Sequence, residues 1–334
     1  MGVRKSLIQV AIASLALALV GGGARPQYVG EGVTPLKPGS FSELQSYLRD
    51  HKPDVDRFRP RGPFGVDLHE NYEIPVSTAR SESDLVGTGI AEKVPLFPSE
   101  QGTSDHINTD LILSEHAEKA PLVIFMHGYG GSIVTHFEQA KHVASWGMHS
   151  LTLRLLNDGE WGTNGRTVAR LVKFLSRPPG IMAGRIDVDK IILVGYSFGG
   201  TSVSVALALG APVAGAILLD PAAIGRAMPD WLPRINVPVL VIGADQRVSQ
   251  ANHRDYYYQN IRGAVAEVSV KGASHEDAQS SADAGPTDEA LQATFTSAII
   301  SGAFSLSSTG KLDYAWASFE GALKDGRLFR ARKK

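Results

Sequence analysis

The sequence predicts an α/β protein with a mostly parallel central sheet and helices on both faces. Three observations predict it. Apolar runs too short for helices recur at residues 122–126, 191–194, 213–219 and 239–242. Such runs suit strands buried on both faces. Segments with helical spacing separate several of them, so strand and helix alternate at least five times, the order that builds a parallel sheet. Finally, glycine-rich turns follow two of the strands, where the reactive groups of such sheets stand.

Composition bounds the possibilities. The chain has 334 residues, 43% apolar and 20% charged, enough apolar content for a substantial core. Its net charge of -1 provides no broad attraction to nucleic acid. Cysteine is absent, which excludes disulfides, thiolate metal sites, cysteine nucleophiles and a lipidated N-terminal cysteine.

The elements read in order as follows. Arg4 and Lys5 precede an apolar stretch over residues 7–20, broken by Gln9 and Ser14, and Gly22, Gly23 and Ala24 supply a small-residue exit. This is the layout of a secretory signal peptide over residues 1–24. The alternative, a membrane anchor, needs about twenty apolar residues, and this run is shorter. The mature chain is expected in the periplasm or the medium, with no stable membrane insertion. Residues 25–66, rich in Pro, Gly and Arg, read as an extension wrapped on the domain or as a linker. They contain a short helix over 41–48 capped by Ser40. Residues 67–334 read as the main domain.

Strands are expected at 72–77 and 107–113, then at 122–126. Ile133, Val134, Phe137, Ala140 and Ala144 fall at helical spacing. A strand over 151–156 leads to a helix marked by Val168, Leu171, Val172 and Leu175, which share one face. The strand at 191–194 leads to a small-residue helix over 201–209, closed by Gly210. Strands at 213–219, 239–242 and 267–270 follow, then a helix over 288–304. The basic residues Arg327, Arg330, Arg332, Lys333 and Lys334 read as a solvated, frayed end.

Candidate chemistry gathers after the strands. Gly195-Tyr196-Ser197-Phe198-Gly199-Gly200 places a serine between a strand and a helix, with glycines two before and two after it. A nucleophilic serine needs such a sharp turn to raise its hydroxyl above the sheet. The helix start also favours negative charge there. His127-Gly128-Tyr129-Gly130-Gly131 follows the strand at 122–126. The backbone N–H groups of Tyr129 and Phe198 are candidates for an oxyanion hole, and His127 is expected to brace its turn. A serine hydroxyl needs a base, and the base should arrive on the loop after the last parallel strand. Of ten histidines only His275, in Gly272-Ala273-Ser274-His275-Glu276-Asp277, meets that condition; His253 is expected inside a helix. The orienting acid is Asp220 or Asp245, each just after a strand. Little room remains between those strands for a lid domain, so no large lid and a rather open site are expected.

These motifs resemble the α/β-hydrolase superfamily, and within it the chlorophyllase and polyester-hydrolase (cutinase-like) esterases. The resemblance runs from about Pro121 to the end and rests on residues 127–131, 195–200, Leu219-Asp220-Pro221 and Ser274-His275. It implies an acyl-enzyme on Ser197 with His275 as general base. Chlorophyllases usually carry their acid in an Asp-Pro at this strand, which implies Asp220, and residues 252–257 look like the stretch ahead of their histidine. Polyester hydrolases carry it one strand later, which implies Asp245, but with a spacing one residue longer. Asp220 therefore ranks first. Chlorophyllases flank the nucleophile with His and Arg, where this chain has Tyr196 and Phe198. With Tyr129 these aromatic residues imply a site for the apolar or aromatic acyl group of a small-molecule or polymeric ester.

No H-E-x-x-H, G-K-[ST] or G-x-G-x-x-G motif is present, so metal, nucleotide and dinucleotide cofactors have no motif support. A peptidase using the same side chains, or a lyase or binding protein on the same fold, are the competing readings.

Overall fold

The computed structural model describes residues 38–76, 106–116, 118–155, 161–223, 228–246, 253–280 and 287–334. The expected signal segment, the first part of the extension and the end of the strand expected at 72–77 lie outside the described residues. Lys37–Lys334 form one compact unit.

The strands are β1 (Val66–Ile74), β2 (Ile107–Ser114), β3 (Ala120–Met126), β4 (His149–Leu153), β5 (Ile186–Tyr196), β6 (Gly215–Leu219), β7 (Val239–Ala244), β8 (Val265–Val270) and β9 (Leu328–Lys333). Among the described residues they make one nine-stranded sheet in the order β1-β2-β4-β3-β5-β6-β7-β8-β9. Neighbours from β4 across to β8 are parallel. The β1–β2, β2–β4 and β8–β9 pairs are antiparallel. The helices are α1 (Phe41–Asp50), α2 (Phe137–Ser145), α3 (Trp161–Phe174), α4 (Phe198–Ala208), α5 (Met228–Trp231), α6 (Arg254–Asn260), α7 (Glu289–Thr309), α8 (Asp313–Ser318) and α9 (Glu320–Lys324).

Every residue of β3, β4, β6, β7 and β8 is buried. Such strands must be covered on both faces. On one face Leu122, Ile124 and Met126 of β3 pack in a single core with Val168, Leu171 and Val172 of α3 and Val203 of α4. On the other face Gly302 of α7 sits directly against Ile217 of β6 and Leu240 of β7. Buried area at both faces is the main term holding such a sheet together, at roughly 25 cal/mol per Å² of apolar surface.

Residues 38–65 lie on this body. Ser40 caps α1 by accepting the Glu43 N–H, and the helix buries Phe41, Leu44 and Leu48. Phe58 meets Trp146 edge-on at 4.9 Å. Asp56 accepts two hydrogen bonds from Arg327, at 2.6 and 2.7 Å, and these hold its carboxyl below the usual range.

Several boundaries differ from expectation for physical reasons. β1 starts earlier than the predicted strand because it is a half-exposed edge, with an irregularity between His69 and Tyr72 that interrupts the alternation. β5 begins five residues early, through the partly covered Asp187 and Lys190 and the exposed Asp189. α4 starts at Phe198 rather than residue 201, since the turn at Ser197 leads straight into it. His253 stands one residue before α6, and its Nδ1 accepts the Ala223 N–H at 2.8 Å.

The basic C-terminal segment is not a frayed end. It forms β9 and pairs with β8. Arg332 binds Glu267 and Asp255, and its guanidinium lies 4.1 Å from the centroid of the Tyr258 ring. Glu267 is 1% exposed and also faces the buried Arg254 at 3.7 Å. The charges that suggested a solvated tail thus include the partner of a buried acid.

Candidate active site

The chain leaves β3 toward β4 on one side, and leaves β5 toward β6 on the other. A crevice opens at the carboxyl ends of strands where the order reverses in this way. The turn over residues 127–131 follows β3, and Ser197 follows β5, so both stand at that crevice.

Ser197 has φ 51° and ψ −121°, a left-handed conformation that a side chain rarely adopts. The flanking glycines permit it. A Cβ on Gly195 would lie 2.7 Å from the Gly199 carbonyl oxygen, and one on Gly199 would lie 2.5 Å from the oxygens of Met126 and His127. Strand, turn and helix therefore pass closer than any other residue would allow. α4 opens at Phe198, at the end of the helix where amide N–H groups lack helical acceptors and the dipole is positive.

Three side chains meet over the sheet. His275 Nε2 is 2.9 Å from Ser197 Oγ. His275 Nδ1 is 2.6 Å from Asp220 Oδ2. Asp220 is fully buried, and its Oδ1 accepts the Ala244 N–H at 3.0 Å. A carboxylate can only accept at Nδ1, so Nδ1 carries the proton and Nε2 is left as the acceptor for the serine hydroxyl. These three come from the ends of β5, β6 and β8.

Asp245 is not part of that line. Its carboxylate accepts the Gly272 N–H at 3.0 Å and pairs with Lys271, also at 3.0 Å. Those two partners hold it below the usual carboxylate range. His127 spans its turn: Nδ1 donates to the Gly128 carbonyl at 2.7 Å, and Nε2 accepts the Leu155 N–H at 3.0 Å.

The three aromatic residues divide. Tyr129 is 70% exposed, and its ring meets that of Phe198 at 6.1 Å, which in turn meets Trp161 at 5.3 Å. Tyr196 is 6% exposed and lies over His275. Burial, followed by the nearby carboxylates of Glu276, Asp220 and Asp277, raises its phenol pKa well above the usual value. The phenol therefore stays protonated. Among the described residues no group of three His, Asp or Glu side chains is placed to hold a metal ion.

No protein-family model matches the chain, and no curated protein matches it. The site's meaning therefore rests on its own geometry. An acceptor imidazole on a serine hydroxyl, with a buried carboxylate behind it, can remove the hydroxyl proton as the oxygen attacks and return it to a leaving group.

Sequence reasoning passed over Asp277, Gln139 and Trp161. Asp277 is buried and accepts three hydrogen bonds around the His275 loop. Gln139 donates to the Ala278 carbonyl in the same loop at 3.2 Å. An acid in a polar loop and a glutamine on a helix carry no sequence signal of burial.

Proposed function

We propose that this chain is a serine hydrolase of carboxylic esters with the α/β-hydrolase fold, exported to the periplasm or the medium. The observation that carries the reading is the unbroken hydrogen-bonded line from Ser197 Oγ through His275 to the buried Asp220. In the proposed reaction Ser197 Oγ attacks the ester carbonyl while His275 Nε2 takes its proton. The backbone N–H groups of Tyr129 and Phe198 receive the oxyanion. The intermediate collapses as His275 gives its proton to the departing alcohol, leaving an acyl-serine. Water, deprotonated by the same imidazole, then releases the acid and restores Ser197. The exposed Tyr129 ring beside Phe198 and Trp161 supports an apolar or aromatic acyl group, from a small-molecule or polymeric ester.

A fluorophosphonate probe tests this. Mass spectrometry should find Ser197 labelled in wild-type protein and no label on Ser197→Ala. A panel of p-nitrophenyl esters should then be hydrolysed by the wild type alone. Folded wild-type protein that stays unlabelled would overturn the reading. Labelling with turnover of peptides but not esters would move it to a peptidase.

A further inference from the structure

We propose that Asp277 is a positioning residue that holds the His275 loop in register with Ser197. This rests on the reading of His275 as the base. Asp277 lies two residues beyond His275, between β8 and α7, and is 3% exposed. Its Oδ2 accepts both the N–H and the Oγ–H of Ser274, each at 2.8 Å. Its Oδ1 accepts the N–H of Asp288, also at 2.8 Å. Asp288 is the cap of α7, its own carboxylate accepting from Ala290 and Leu291. One buried carboxylate thus ties the residue just before His275 to the N-cap of α7, the longest helix among the described residues.

The chemistry explains why a carboxylate stands there. A buried charge is tolerated only when its lone pairs are filled, and here three donors converge on it. Those charge-assisted bonds are directional, so they fix the loop rather than merely filling space. A second set of bonds holds the far side of the loop. Gln139 Nε2 donates to the Ala278 carbonyl, and the Ser280 N–H donates to the Thr135 carbonyl at 3.0 Å. The His275 loop is therefore anchored both to α7 and to the segment after β3. Nε2 must stay within hydrogen-bond reach of Ser197 Oγ, and a displacement near 1 Å costs about 10² in rate.

The test compares Asp277→Ala, Asp277→Asn and Ser274→Ala with wild type. Each enzyme is titrated to completion with a fluorophosphonate, so kcat is counted per competent site. Asp277→Asn keeps the shape but turns an amide N–H toward one of the donors. In both Asp277 variants kcat per titrated site should fall about 10²-fold with KM changing far less. Ser274→Ala, which keeps the backbone donor, should fall much less. Amide hydrogen exchange at Ser274 and Asp288 should quicken in the Asp277 variants. A merely structural role would lower the melting temperature and the titratable fraction, but leave kcat per site at the wild-type value, and that result overturns the proposal. So does unchanged exchange at Ser274 and Asp288. If Asp277→Ala fails to fold, Asp277→Asn carries the same comparison. An unlabelled wild type would instead count against the hydrolase reading, and the exchange measurement would still decide whether the clamp exists.

Discussion

The ring of Tyr196 lies over the imidazole of His275, with centroids 4.7 Å apart and planes tilted by 30°. The residue before the serine therefore packs on the proposed base rather than on open solvent. Removing the ring frees the imidazole to swing away from Ser197. Tyr196→Leu should lower kcat by about 3–10-fold, the worth of an aromatic pair, whereas Tyr196→Phe should stay near wild type. Steady-state kinetics on both variants checks this.

Asp220 and Asp245 should separate cleanly. Asp220→Asn exchanges the acceptor at His275 Nδ1 for an amide, and in a serine protease the equivalent loss is about 10⁴ in kcat. The Asp245 carboxylate binds Gly272 and Lys271 rather than His275, so Asp245→Asn should leave kcat within a few-fold of wild type. Circular dichroism confirms folding in both. A crippled Asp245→Asn beside an active Asp220→Asn would reverse the assignment.

Stability should decline on acidification. Burial lowers His136 and His142 from 6.5 to about 4, and His149 from 6.5 to about 3. Each is held neutral in the fold, while the unfolded chain protonates these rings near pH 6.5. Below that pH the unfolded state binds more protons, so its population grows. This contribution is complete above about pH 6.5 and disappears as pH falls toward the folded values. The urea midpoint should drop steadily between pH 7 and pH 4. A midpoint flat over that range would show that the three rings are not held neutral in the fold.

Arg332→Met should destabilise the protein through Glu267. Breaking a fully buried ion pair costs roughly 3–5 kcal/mol, but the Arg332 side chain is 35% exposed, so about 1–2 kcal/mol is expected. Adding Glu267→Gln should recover part of the loss. Denaturant midpoints across the four-member cycle measure the coupling.

Much of the fold was legible because burial leaves a local mark. The run 122–126 is apolar at every position since β3 is covered on both faces, and the same holds for β6 and β7. Edges leave a weaker mark. β9 carries Arg330, Arg332 and Lys333, and only its tertiary neighbours show that one of them faces a buried acid. Ser197 and His275 were legible from position, each standing after a strand in a turn of small residues. Position alone did not choose between Asp220 and Asp245, because both follow strands; only the resemblance ranked Asp220 first. What separates them is which carboxylate reaches His275, set by contacts 55 residues apart in sequence. Asp277 was invisible for the same reason, since its partner Asp288 lies across a stretch with no regular pattern.

The pairing of β9 with β8 has a consequence for the order of assembly. β8 is synthesised well before β9, with α7, α8 and α9 intervening. Until those later residues emerge, the sheet ends on a strand with open backbone donors and acceptors, a template for wrong partners. During that interval Glu267 also lacks Arg332. The growing chain therefore carries β8 as a bare edge while three helices are made, and that edge is covered only when the ninth strand arrives.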